Sequence, residues 1–77
     1  MKLNIQSTDK VVTLVVNGSE VRARVWEGHT ESGIPVHCYI TRVTAHESRD
    51  CSQFERELKE HRKPTPEVQA IPLRFIL

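Results

Sequence analysis

The chain has little of anything that announces a function. Its two cysteines, Cys38 and Cys51, lack CxxC spacing and lie in a chain that shows no export signal, so reduced thiols are expected and neither is an obvious staple. Three glycines and four prolines leave no Gly-rich phosphate loop and no low-complexity tract. HExxH, GxSxG and a strand-end cluster of acids are also missing, so no catalytic residues are assigned and the chain does not read as an enzyme. Eleven Lys and Arg against ten Asp and Glu give a net charge of +1, too little to draw the whole chain onto nucleic acid or an anionic membrane. No run approaches the roughly 20 apolar residues of a membrane span, and Met1 to Lys10 is not a signal peptide. The expected location is the cytoplasm.

What is present is a small folded unit. With 77 residues, 38% hydrophobic and 27% charged, the chain is one α+β domain over 1–77 that buries roughly 60 to 65% of its unfolded surface. Asn17-Gly18 lies between two apolar runs and tolerates the two positive φ angles of a type I′ turn, which predicts a hairpin. That turn sets Val16 against Ser19, Leu14 against Val21, Thr13 against Arg22 and Val12 against Ala23. Val12, Leu14, Val21, Ala23 and Val25 then share one face. A second hairpin through Gly28 to Gly33, pairing Glu27 with Ile34, adds Val36, Cys38 and Ile40 to that face.

Lys2 to Gln6, with Leu3 and Ile5, reads as a further short strand. Ser52-Gln53-Phe54-Glu55 matches a capping box, which predicts a helix from Ser52 to Lys63 with Phe54 and Leu58 on one stripe. The alternation from Gln69 to Leu77 predicts a last strand at an edge, because Pro72 cannot donate to a ladder. The expected order is βββαβ: a three-stranded antiparallel meander, a helix packed on the Val12 face, and a C-terminal strand most simply parallel to the first.

The face opposite the core then carries Arg22, Arg24, Trp26, His37 and Tyr39. Arginines grip carboxylates or phosphates in a forked geometry, and the two rings offer stacking surfaces for a base or a partner's side chain. These five are the candidate binding residues. A protein partner is expected first and single-stranded nucleic acid second; a purely structural packing of rings and Arg stems accounts for the same residues. The apolar Phe75-Ile76-Leu77 end could mediate a homodimer through a sheet edge. His37 and Cys38 are adjacent and point to opposite faces, so no metal site and no cofactor is expected. Cys51 near a helix start reads as a residue packed below Phe54.

The segments Ala23-Arg24-Val25-Trp26-Glu27-Gly28, Thr30-Glu31-Ser32-Gly33-Ile34-Pro35, Ile40-Thr41-Arg42 and Ser52-Gln53-Phe54-Glu55-Arg56-Glu57-Leu58 resemble a small, uncharacterised protein type of bacterial phages, prophages and mobile elements. The resemblance covers most of residues 20 to 77. It implies a cytoplasmic accessory protein in bacteria and carries no site residues.

Overall fold

Two tight turns set the frame of the sheet. The computed structural model describes residues 1–46 and 51–76. Its elements are strands β1 (Leu3–Val16), β2 (Ser19–Thr30) and β3 (Pro35–Ile40), helix α1 (Ser52–Leu58), the single helical turn α2 (Pro66–Gln69) and strand β4 (Arg74–Ile76). They form an α+β domain with one mixed four-stranded sheet in the order β3-β2-β1-β4. β1, β2 and β3 are antiparallel neighbours, and β4 runs parallel beside β1.

The first hairpin has the register its turn dictates. Asn17 and Gly18 take φ of 50° and 83°, Val16 faces Ser19, and Leu14 and Val12 face Val21 and Ala23. Lys2 to Gln6 does not stand apart as a separate strand; all but Lys2 belongs to the first half of a 14-residue β1.

The second hairpin departs from expectation by three residues. Val25 pairs with Tyr39 rather than Val36, and Glu27 with His37 rather than Ile34. The turn is the short loop Glu31-Ser32-Gly33: the Gly33 amide donates to the Thr30 carbonyl at 2.9 Å, the Thr30 amide donates to the Ile34 carbonyl at 2.9 Å, and Gly33 takes φ of 92°. Gly28, expected to bound that loop, lies inside β2. A Cβ there would run into the Asn4 carbonyl oxygen and come within 2.7 Å of Ile5 Cα, so this glycine answers the close approach of β1. An odd slip exchanges the two faces of a strand. His37 and Tyr39 therefore lie on the Val25 face, and Cys38 and Ile40 on the Trp26 face.

Midway along β1 the ladder is broken by a bulge: Ser7 faces Trp26 and Val11 faces Arg24, so Thr8, Asp9 and Lys10 share the space opposite Val25. Side-chain and long-range bonds cross and flank the break. The fully buried Thr8 hydroxyl donates to the Val25 carbonyl at 2.6 Å, Arg24 Nη1 donates to the Thr8 carbonyl at 2.8 Å, and Arg62 bridges the outer side through Asp9 and Ser7.

The core lies on one face and consists of Val12, Leu14, Ala23, Val25 and Val68, with Tyr39, Ile71 and Phe75 against it. Val68 of α2 is 0% exposed. The helix expected over this face is absent from it. α1 ends at Leu58 rather than Lys63, buries none of its residues, and shares a groove with Trp26 on the other side of the sheet. Its N-cap is Cys51, one residue before the capping-box serine, and the Cys51 side chain makes no cap hydrogen bond.

The predicted strand from Gln69 to Leu77 is likewise split: Gln69 closes α2, and of its described residues Arg74 to Ile76 alone pair with β1 as a strand. Leu77 lies outside the described residues. The link from β3 to β4 thus runs over one face as α1, passes the β1 edge at Arg62, and crosses the other face as α2.

Candidate functional site

Arg22, Arg24 and Trp26 project from alternate positions of β2 onto the face opposite the core. Ile40 of β3 joins them there. Between this face and α1 lies a groove of about 430 Å³. Its walls are Val11, Trp26 and Ile40 from the sheet, Val43 from the segment after β3, and Phe54 and Leu58 from α1, with Arg22, Arg24, Arg42 and Glu57 also lining it. Trp26 is half-buried and also lines a second depression beside Ser7, Glu57, Glu60 and His61.

The five candidate binding residues are not one constellation. Arg22, Arg24 and Trp26 share the groove; His37 and Tyr39 are on the far face. Tyr39 stacks on Phe75 with ring centroids 5.6 Å apart and planes at 28°, and it packs against the core. His37 is exposed and sits across from the buried Glu27 in the β2–β3 register. Arg24 is held by its bond to the Thr8 carbonyl, a structural duty. Among the described residues, Arg22 and Arg42 have no ion-pair partner.

Sequence reasoning did not find Arg42, Phe54, Leu58 and Val43 as groove residues, because α1 was assigned to the other face. It also missed Glu27. That carboxylate is 5% exposed, pairs with Arg62 Nη1 at 2.6 Å, and accepts bonds from the Thr65 amide and hydroxyl at 3.3 and 2.9 Å. A glutamate between Trp26 and Gly28 reads locally as a strand end, and its partners lie 35 and 38 positions away.

An Asp9–His61 pair sits on the bulge, where the Ser7 hydroxyl donates to the Glu60 carbonyl at 2.8 Å. A carboxylate-oriented imidazole is a chemistry-bearing arrangement in general. Here both side chains are partly exposed and fasten residues 60–62 to β1. Among the described residues there is no cluster of three or more His, Cys, Asp or Glu that could hold a metal ion, and no helix long and apolar enough to cross a membrane. Cys38 and Cys51 are free thiols, both half-buried; Cys51 lines a shallow site with Phe54.

Compared with protein-family models, curated proteins and solved structures, the chain matches none.

Proposed function

We propose that the protein is a non-catalytic interaction module that binds another protein through the groove between Trp26 and α1. The observation that carries this reading is the pairing of an apolar groove of about 430 Å³ with two arginines, Arg22 and Arg42, that have no acidic partner among the described residues. Such a site suits a segment with an apolar anchor beside carboxylates, since buried aromatic anchors carry interface energy and rim arginines select charge. The resemblance to small phage and mobile-element proteins supports an accessory role in bacteria. Single-stranded nucleic acid is the weaker reading, because a two-ring platform needs Trp26 and Tyr39 on one face and they lie on opposite faces.

Affinity capture from a bacterial lysate, comparing wild type with an Arg22→Glu/Arg42→Glu variant of unchanged thermal stability, tests the proposal. A protein retained by the wild type and lost by the variant supports it. Identical captures, or none, overturn it. Quenching of Trp26 fluorescence by single-stranded oligonucleotides that disappears with added salt would transfer the groove to nucleic acid.

A further inference from the structure

The sheet has two edges, and they are not alike. β4 closes one edge with three residues, among them Arg74, just after Pro72. Short length, charge and proline are the usual protections of an edge. β3 forms the other edge with six residues, Pro35-Val36-His37-Cys38-Tyr39-Ile40, and carries no Lys, Arg, Asp or Glu. Among the described residues no strand lies on its outer side.

Which backbone groups it offers follows from the turn. The Thr30 amide donates to the Ile34 carbonyl, which marks that pair as hydrogen-bonded. Antiparallel pairs alternate, so Gly28–Val36, Trp26–Cys38 and Arg24–Ile40 are the bonded pairs of β2 and β3. Pro35, His37 and Tyr39 therefore turn their backbone groups to the open edge. Proline, with no N–H to satisfy, fits that outward position.

We propose that β3 pairs antiparallel with β3 of a second copy, about a two-fold axis at Cys38. His37 then exchanges both backbone hydrogen bonds with the partner's Tyr39, and Val36 lies across from the partner's Ile40. Cys38 meets the partner's Cys38 in a non-bonded pair, where Cα atoms stand about 4.5 Å apart. A two-fold pairing brings together two strands of the same net charge, so a charged strand would meet one of its own sign. β3 has no fixed charge to conflict, and none by which a foreign strand could be selected. That favours a second copy as the occupant.

The test uses the full chain with Cys51→Ser, leaving Cys38 as its single thiol. Sedimentation equilibrium should give a monomer–dimer equilibrium, and diamide, taking one hydrogen from each of two paired thiols, should trap a disulfide-linked dimer. Hydrogen exchange at the His37 and Tyr39 amides should slow as concentration rises, with β4 amides unchanged. His37→Pro removes an outward N–H that β2 does not use and should return the chain to monomer with Trp26 emission unaltered; should that variant misfold, exchange on the unsubstituted strand decides. A monomer at every concentration overturns the proposal. So does a dimer whose His37 and Tyr39 amides exchange as in the monomer, or protection of those amides that does not depend on concentration.

Discussion

Tyr39, on one edge strand of the sheet, stacks against Phe75, on the opposite edge strand. Two rings from the outermost of four strands can meet only if the sheet curls, and the curl encloses Val68 against Val12 and Val25. Tyr39→Ala and Phe75→Ala should each cost about 2–3 kcal/mol, somewhat below fully buried aromatics because both rings are half-buried. The double variant should cost less than the sum by about 0.5–1.5 kcal/mol, measured by urea unfolding.

Arg22 and Arg24 are two residues apart, face the same groove, and should behave differently. Arg24→Ala removes a charged donor from the Thr8 carbonyl and should lower stability by about 1.5–3 kcal/mol. Arg22→Ala should stay within about 0.5 kcal/mol of wild type. Equal thermal shifts for the two would contradict the structural role given to Arg24.

Among the described residues Glu27 is the buried acid, and Arg62 reaches it from a 43% exposed side chain. Removing Arg62 leaves the carboxylate with Thr65 alone. Arg62→Met should cost about 2 kcal/mol, less than the 3–5 kcal/mol of a fully buried pair because solvent screens the exposed partner. A Glu27→Gln/Arg62→Met double variant should recover part of that loss in the same unfolding measurement.

Gly28→Ala should destabilise by about 3 kcal/mol or release the first half of β1, since the new methyl group would meet the Asn4 carbonyl. Hydrogen exchange would tell these apart: faster exchange confined to residues 3–7 marks release. Gly18→Ala meets no atom within 4 Å and suffers only from its φ of 83°, so its cost should be the smaller.

The first hairpin was legible because one dipeptide, Asn17-Gly18, specifies turn, register and face together. The second was not. Gly28 and Gly33 look alike in sequence, but one serves a turn and the other a close strand approach, and taking both as loop ends shifted β3 by an odd number of residues. That single slip carried His37 and Tyr39 to the wrong face and so assembled a five-residue site of which three members remain together. The parallel placement of the last strand beside the first followed from chain direction alone. The path between them did not, because Phe54 and Leu58 form an apolar stripe equally suited to either face, and Val68 is a lone apolar residue just ahead of the alternation that begins at Gln69. The Thr8 bulge had no local signal; its partners are Arg24 and Arg62.

The link that crosses both faces of the sheet has a kinetic consequence. The meander closes through near neighbours in sequence, whereas Ser7 to Glu60, Asp9 to Arg62 and Thr13 to Leu73 join residues more than 50 positions apart. Such distant closures are slow to form, so the last third of the chain should dock late. Substitutions at Val68 or Arg62 would then chiefly hasten unfolding, and substitutions at Asn17 or Gly18 would chiefly retard folding, the two arms of a stopped-flow chevron separating them. Until that docking is complete, the nascent sheet presents Val12, Leu14 and Val25 to solvent, making the interval between synthesis of β3 and docking of α2 the one in which this chain is most exposed to aggregation.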